Sequence, residues 1–148
     1  MKTRVVLADD HKPFREVLRN LLERDPDIVV VGTAGDGAEA LALVRSTLPD
    51  VVVMDIRMPR LNGVDALHSL AAAHPAIKVI VLSVTSEPIF AAKMLATGAS
   101  GYVTKADAGE LPRAIHAVVS GSTYLSAEVT VTVADPARVG SNKPTGNP

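Results

Sequence analysis

The sequence has 148 residues, 47% of them hydrophobic and 21% charged, a balance that is typical of one globular domain and excludes a disordered chain. With 15 basic and 16 acidic residues the net charge is −1, so no overall positive field draws the chain to nucleic acid or anionic lipid. The absence of cysteine excludes disulfides, thiolate metal ligands and cysteine nucleophiles, and it fits a reducing cytoplasm, where we expect the protein to work.

The chain begins with an apolar run at 5–8, which predicts a first strand because it is far shorter than a signal-peptide core or a membrane span. Apolar residues then recur at the spacing of one helix face from Phe14 to Leu22, and Pro13 suits the first turn of that helix. We therefore expect a strand followed by a helix at this end of the chain, and no membrane partner.

The same alternation continues through residue 119. Apolar, β-branched runs predict four more strands at 28–31, 51–54, 79–82 and 101–103, and weaker helical stripes follow at 38–48, 64–73, 89–95 and 111–119. Strands that are apolar throughout are typical of a parallel sheet covered on both faces. Five strands alternating with five helices predict a doubly wound α/β domain, because right-handed crossovers place helices on both faces of the sheet.

The pattern changes after Tyr124. Val129, Val131 and Val133 alternate with threonines, which is a strand-like period without an obvious partner, and residues 134–148 are rich in Pro, Gly, Asn and Ser. We expect one folded domain over 1–125 and a linker-like flexible tail over 126–148.

Polar side chains follow the predicted strands at the points where they end. Asp9 and Asp10 follow the first strand, Asp55 the third, Ser83 the fourth and Lys105 the fifth. Because the carboxyl ends of the strands in a doubly wound sheet border one crevice, we expect these side chains to lie close together.

This set of side chains favours phosphoryl transfer to a carboxylate. Three carboxylates in one crevice repel one another unless cations balance them, and the Lys105 ammonium supplies one positive charge. Oxygen ligands without histidine or cysteine nearby favour Mg²⁺, with Asp10 and Asp55 as the direct ligands. An aspartate is also a competent nucleophile toward phosphorus.

The residues above lie in segments that resemble the receiver domain of two-component response regulators, over about residues 3–125. These segments are VVLADDH at 5–11, VVVMDIRMPRLNGVDAL at 51–67, VIVLSV at 79–84 and GASGYVTKAD at 98–107. The ADDH opening and the GASGYVTK ending are most similar to the NarL/FixJ (LuxR-type) subfamily. The resemblance implies a flavodoxin-like sheet with strand order 2-1-3-4-5.

The resemblance also implies a role for each position. Asp55 matches the phosphoacceptor, and the acidic pair Asp9 and Asp10 matches the residues that hold Mg²⁺ together with Asp55 and the backbone carbonyl of Arg57.

Three further positions match residues that respond to the bound phosphoryl group. Ser83 matches the hydroxyl that contacts this group, Lys105 the lysine that pairs with it, and Tyr102 the aromatic residue that follows the switch. The implied partner is a sensor histidine kinase, with a homodimer possible on phosphorylation, and the implied output is transcription.

The subfamily continues into a DNA-binding domain after a segment like Tyr124-Leu125-Ser126, whereas this sequence ends in ADPARVGSNKPTGNP. We therefore expect no DNA binding by this chain alone. A truncated chain and a natural protein without an effector domain both fit the sequence. The alternative function is a stand-alone receiver that acts through protein–protein contacts or as a phosphorelay sink.

Two departures from the family pattern bear on the fifth strand and helix. Ala106 stands where most receivers have a proline, which leaves the isomer of the Lys105–Ala106 peptide open. Pro112 predicts that the fifth helix begins near Leu111 and not at the capping-box pattern of residues 107–110.

Two other classes of protein fit the sequence less well. Haloacid-dehalogenase-like enzymes also use an aspartyl nucleophile but carry Asp-x-Asp after the first strand, where this chain has adjacent Asp9 and Asp10, so we do not expect an enzyme. Gly32, Gly35 and Gly37 follow the second strand and not the first, so they do not form a dinucleotide-binding fingerprint.

Overall fold

The computed structural model of the protein describes residues 2–58 and 62–134. Its strands are β1 (Thr3–Ala8), β2 (Ile28–Ala34), β3 (Val51–Asp55), β4 (Lys78–Ser83), β5 (Gly101–Thr104) and β6 (Tyr124–Leu125). Its α-helices are α1 (Lys12–Glu23), α2 (Gly37–Thr47), α3 (Gly63–Ala73), α4 (Pro88–Thr97), α5 (Leu111–Val119) and α6 (Ala127–Ala134), and a 3-10 segment (Lys105–Glu110) precedes α5.

All strand pairs of the sheet are parallel, in the order β2-β1-β3-β4-β5-β6. The predicted doubly wound α/β fold and the order of its first five strands are therefore confirmed. The short strand β6 was not predicted, and it extends the sheet beside β5 through the pairs Gly101 with Tyr124 and Tyr102 with Leu125.

The core consists of two buried clusters, one on each face of the sheet. Val52 and Met54 contribute to the cluster beneath α2, α3 and α4, while Val51 and Val53 contribute to the cluster beneath α1 and α5. Successive residues of a strand point to opposite faces, so a strand that is covered on both sides is apolar at every position. This explains the continuous apolar runs of the sequence.

Gly63 places the start of α3 against the end of β3. A Cβ atom at this position would lie 2.5 Å from the Cα of Ile56 and 2.6 Å from the carbonyl oxygen of Asp55. Both neighbours are backbone atoms, which cannot move aside as a flexible side chain can. Glycine therefore permits the close approach that shapes the backbone around Asp55.

The region around the fifth helix follows the sequence-based expectation. Helix α5 begins at Leu111, with Pro112 in its first turn, and the preceding 3-10 segment starts at Lys105. The Lys105–Ala106 peptide is trans, since the described residues contain no cis bond.

The strand-like interpretation of residues 129–133 is wrong, because they belong to helix α6. Carboxylates of the 3-10 segment accept hydrogen bonds from the first backbone amides of this helix, and Val129 is fully buried against the core. These tertiary contacts outweigh the β preference of the valines and threonines. Residues 135–148, within the predicted flexible tail, lie outside the described residues. Among the described helices, none combines the length and hydropathy needed to cross a membrane.

Candidate functional site

Asp55 is the last residue of β3, and its side chain is almost completely buried at the carboxyl end of the sheet. Its Oδ1 accepts a hydrogen bond of 2.9 Å from the backbone amide of Arg57, and its Oδ2 accepts one of 3.0 Å from Lys105 Nζ. The carboxylate is therefore held in one orientation, with a positive charge beside it.

Asp9 follows β1 and is 1% exposed. Its Oδ1 accepts a hydrogen bond of 2.8 Å from the amide of His11, and its backbone carbonyl accepts one of 2.7 Å from the guanidinium of Arg15. Its Oδ2 lies 3.3 Å from Lys105 Nζ but, within the described structure, has no partner in hydrogen-bond geometry. Asp9 thus brings a buried and incompletely satisfied oxygen to the crevice.

Burial raises the pKa of Asp9 above its ordinary value, and the negative charge of Asp55 acts in the same direction. The hydrogen bond from His11 and the charge of Lys105 lower this pKa without cancelling the rise. A cation bound in the crevice would stabilise the ionised form of Asp9.

The three acidic residues meet as the sequence predicts. One carboxylate oxygen each from Asp9, Asp10 and Asp55 lies within 4.8 Å of the other two, with Asp10 exposed at the mouth of the crevice. The incompletely satisfied Asp9 Oδ2 and this all-oxygen donor set fit a hard divalent cation such as Mg²⁺. The backbone carbonyl of Arg57 stays a predicted ligand.

Lys105 follows β5, and its ammonium contacts both buried carboxylates. It also lies 5.0 Å from the centre of the Phe14 ring, a cation–π distance. Burial lowers the pKa of Lys105, but the hydrogen bond and charge of Asp55, together with Asp9, outweigh that effect and raise it above its ordinary value. Lys105 therefore stays an ammonium beside Asp55. Sequence reasoning assigned Phe14 only to the apolar face of α1.

Ser83 and Tyr102 form a second cluster around the backbone of Thr85. The Ser83 hydroxyl accepts a hydrogen bond of 3.2 Å from the Thr85 amide, and the Tyr102 hydroxyl donates one of 2.7 Å to the Thr85 carbonyl. The Tyr102 ring is fully buried and packs edge-on against Phe90, with ring centres 6.1 Å apart. Burial also raises the pKa of Tyr102. The loop between β4 and α4 is thus connected directly to the aromatic ring.

A cavity of about 460 Å³ lies between this loop, the end of β3 and the start of α4. Ser83, Thr85 and Phe90 line it, together with Ile56 and Arg57 from the segment that follows Asp55. The cavity therefore joins the segment that follows Asp55 to the Ser83 and Tyr102 cluster.

The family model of the response regulator receiver domain matches residues 5–116. The chain belongs to the response regulator receiver family. This receiver is 41% identical over 130 residues to the transcriptional regulatory protein DegU of Brevibacillus brevis, an alignment that covers 87% of this chain and 55% of DegU. The chain thus spans little more than half the length of that relative.

Solved structures agree with this assignment. A LuxR-family two-component response regulator from Aurantimonas sp. SI85-9A1 is similar with a TM-score of 0.86 and 38% identity, covering 94% of this chain and 99% of that one. The signal receiver domain of NarL from Mycobacterium tuberculosis has a TM-score of 0.76 and 34% identity, covering 81% of this chain and 98% of that one. The resemblance to the NarL/FixJ subfamily is confirmed.

Within the receiver, the structure brings Asp9, Asp10, Asp55 and Lys105 into one crevice and places Ser83 and Tyr102 in the adjoining cluster. Sequence reasoning missed Thr85, because it connects the two side chains through its backbone groups, which any residue type can offer. The ring of Tyr102, which matches the aromatic residue that follows the switch, lies inside the core in this structure.

Proposed function

We propose that this receiver accepts a phosphoryl group on Asp55 from the phosphohistidine of a sensor histidine kinase, and that the modification changes the surface that controls output. The observation that carries this proposal is the placement of Lys105, 3.0 Å from Asp55 Oδ2 and 3.3 Å from the incompletely satisfied oxygen of Asp9. A buried carboxylate with an ammonium beside it and further carboxylates around it is suited to receive phosphorus and to bind a metal ion.

In the proposed step, one carboxylate oxygen of Asp55 attacks the phosphorus atom. A new O–P bond forms while the N–P bond of the kinase phosphohistidine breaks, and the electron pair of that bond returns to the imidazole nitrogen. Lys105 pairs with the oxygens of the transferred group, and its raised pKa supports an ammonium in this role. The amide of Arg57 holds the acceptor carboxylate during the transfer.

The proposed cofactor is Mg²⁺, held by Asp10 and Asp55, by the backbone carbonyl of Arg57 and, within the acidic pair, by Asp9. When bound, the ion offsets the charge that accumulates on the carboxylates and the phosphoryl oxygens. The clustering of the three carboxylates supports this assignment.

We further propose that the chain accepts phosphoryl groups stoichiometrically and is not an enzyme. Residues 1–125 would form the receiver and residues 126–148 a linker-like segment, and the protein would work in the cytoplasm. Output would be transcription through a DNA-binding domain outside this sequence, with a homodimer forming on phosphorylation. The name of DegU as a transcriptional regulatory protein supports the output, and the net charge of −1 supports the absence of DNA binding by this chain alone.

The test is labelling with acetyl phosphate and Mg²⁺, followed by intact mass. The wild-type chain should gain one phosphoryl group and should lose this reactivity in EDTA, whereas Asp55→Asn should remain unlabelled. Asp65→Asn, which removes an exposed carboxylate at the start of α3, is the matched control and should be labelled normally. Equal labelling of Asp55→Asn would exclude Asp55 as the acceptor, and repeated turnover of acetyl phosphate beyond the protein concentration would favour an enzyme.

A further inference from the structure

Helix α6 lies on a surface formed by α4, β5 and the 3-10 segment, which we call the α6 dock. The junction that leads into the helix is fully buried at Ser126. Its amide donates a hydrogen bond of 3.0 Å to the Tyr102 carbonyl, and its hydroxyl accepts one of 3.1 Å from the Thr104 amide. The start of α6 is therefore bonded to the strand that carries Tyr102 and immediately precedes Lys105.

The first two backbone amides of α6 are capped by carboxylates of the 3-10 segment, while the Ser126 carbonyl accepts the next two. Asp107 Oδ2 accepts a hydrogen bond of 2.7 Å from the Glu128 amide, and the Glu110 carboxylate accepts the Ala127 amide at 3.2 Å. Carboxylates at a helix N-terminus satisfy free amides and interact favourably with the helix dipole. Because the 3-10 segment starts at Lys105, the helix caps are continuous with the residue that contacts Asp55.

The first turn of α6 also contributes to the apolar cluster that holds the Tyr102 ring. Val129 is fully buried in the same apolar cluster as Tyr102, and the charge of Glu128 is close enough to contribute to the raised pKa of the Tyr102 hydroxyl. If the Tyr102 ring left this cluster, both the ring and Val129 would lose buried apolar surroundings, so docking of α6 and the inward position of Tyr102 favour each other.

We propose that α6 is an intramolecular latch, in which docking of residues 126–134 on the α6 dock holds Tyr102 inward and so strengthens binding of a phosphoryl group at Asp55. This inference rests on the proposed function, because the inward Tyr102 hydroxyl fixes the Thr85 backbone that carries the Ser83 contact. Coupling between two sites is reciprocal, so a phosphoryl group at Asp55 must strengthen docking of α6 by the same factor.

The test compares Val129→Asp with Thr130→Asp in the full 148-residue chain. Val129→Asp places a carboxylate at a fully buried position near Asp107 and Glu110, whereas Thr130 has an exposed side chain whose hydroxyl donates to the carbonyl of Ala127. Both variants add the same charge to the same helix turn, and only Val129→Asp should undock α6.

Two measurements are made on each protein in Mg²⁺. Amide exchange over residues 127–130 reports docking, and titration with beryllofluoride, followed through the NMR signals of Tyr102, reports affinity at the acceptor. Val129→Asp should lose exchange protection and bind beryllofluoride at least about fivefold more weakly, the lower end of typical allosteric couplings. Thr130→Asp should match the wild type in both exchange protection and beryllofluoride affinity. In the wild type, saturating beryllofluoride should slow exchange over 127–130 by the same factor by which Val129→Asp weakens beryllofluoride binding.

The latch is overturned if Val129→Asp loses protection over α6 and still binds beryllofluoride with wild-type affinity; the proposed function then stands. The proposed function requires that beryllofluoride changes the wild-type spectrum and that Asp55→Asn abolishes this change. If either result is absent, the proposed function fails and the latch fails with it. A Val129→Asp chain without a cooperative melting transition is replaced by Val129→Ala, which removes buried methyl groups without adding charge and must show the same ordering of affinities.

Discussion

Replacement of Asp9 by asparagine should stabilise the metal-free protein. The Asp9 side chain is almost fully buried, and its Oδ2 lacks a hydrogen-bond partner among the described residues. Asparagine keeps a polar atom at this position but removes the negative charge, which burial and the nearby charge of Asp55 make unfavourable. The 3.3 Å contact with the Lys105 ammonium is lost with that charge. We therefore expect Asp9→Asn in EDTA to raise the free energy of unfolding by about 1 kcal/mol, the lower end of the cost of an unsatisfied buried group.

The stabilisation by Asp9→Asn should depend on pH. Because the pKa of Asp9 is raised in the folded state, that state binds the proton more tightly than the unfolded chain does. The wild-type penalty is then fully present above the folded-state pKa and disappears as the pH falls below the unfolded value of 3.8. The difference between wild type and Asp9→Asn should therefore be largest at neutral pH and should shrink on acidification.

Urea unfolding, followed by circular dichroism, measures the effect. Asp27→Asn makes the same change in charge at an exposed position and is the control, expected to leave stability within about 0.5 kcal/mol of wild type. Mg²⁺ at about 100 times its dissociation constant should stabilise the wild type by about 2.7 kcal/mol and Asp9→Asn by less, which narrows or reverses the difference. A wild type more stable than Asp9→Asn in EDTA would refute the reasoning.

Three more outcomes are expected. Ser83→Ala should still accept a phosphoryl group but show a much smaller beryllofluoride-induced change at Tyr102 by NMR, because a hydrogen bond to a charged group supplies about 1.5–3 of the roughly 5.5 kcal/mol needed for a complete switch; a full response would exclude the hydroxyl as the coupling element. Thr104→Val should raise the free energy of unfolding in urea by about 1–3 kcal/mol, because the fully buried hydroxyl has no hydrogen-bond partner in the described structure, and a destabilised variant would contradict this. Gly63→Ala should lower the melting temperature and slow acetyl-phosphate labelling, since its Cβ would lie 2.5 Å from the Ile56 backbone; unchanged values would show that this backbone relaxes freely.

The sequence predicted the sheet well because its strands are buried on both faces, which produces runs such as 51–54 that no amphipathic helix shares. It did not predict β6, since Tyr124–Leu125 is too short to show any period. It failed at residues 129–133, where alternating valines and threonines favour a strand but capping by Asp107 and burial of Val129 select a helix.

The candidate site was predictable where residue type and strand position together determine the chemistry, as for Asp9, Asp55 and Lys105. It was not predictable where the contact uses a backbone group or the face of a ring. The Thr85 carbonyl that bonds Tyr102 and the Phe14 ring near Lys105 are of this kind, and no spacing rule points to them.

The segment that joins β6 to α6 also has a consequence for self-association. A strand at the border of a sheet offers unpaired amides and carbonyls to strands of other molecules, which promotes aggregation. Along β5 this border is closed by two-residue β6 and then by Ser126, whose amide bonds the Tyr102 carbonyl and whose hydroxyl bonds the Thr104 amide. A chain in which this junction detaches from β5 would expose an apolar strand at the edge of the sheet. Loss of the α6 contacts should therefore lower the concentration above which the protein self-associates.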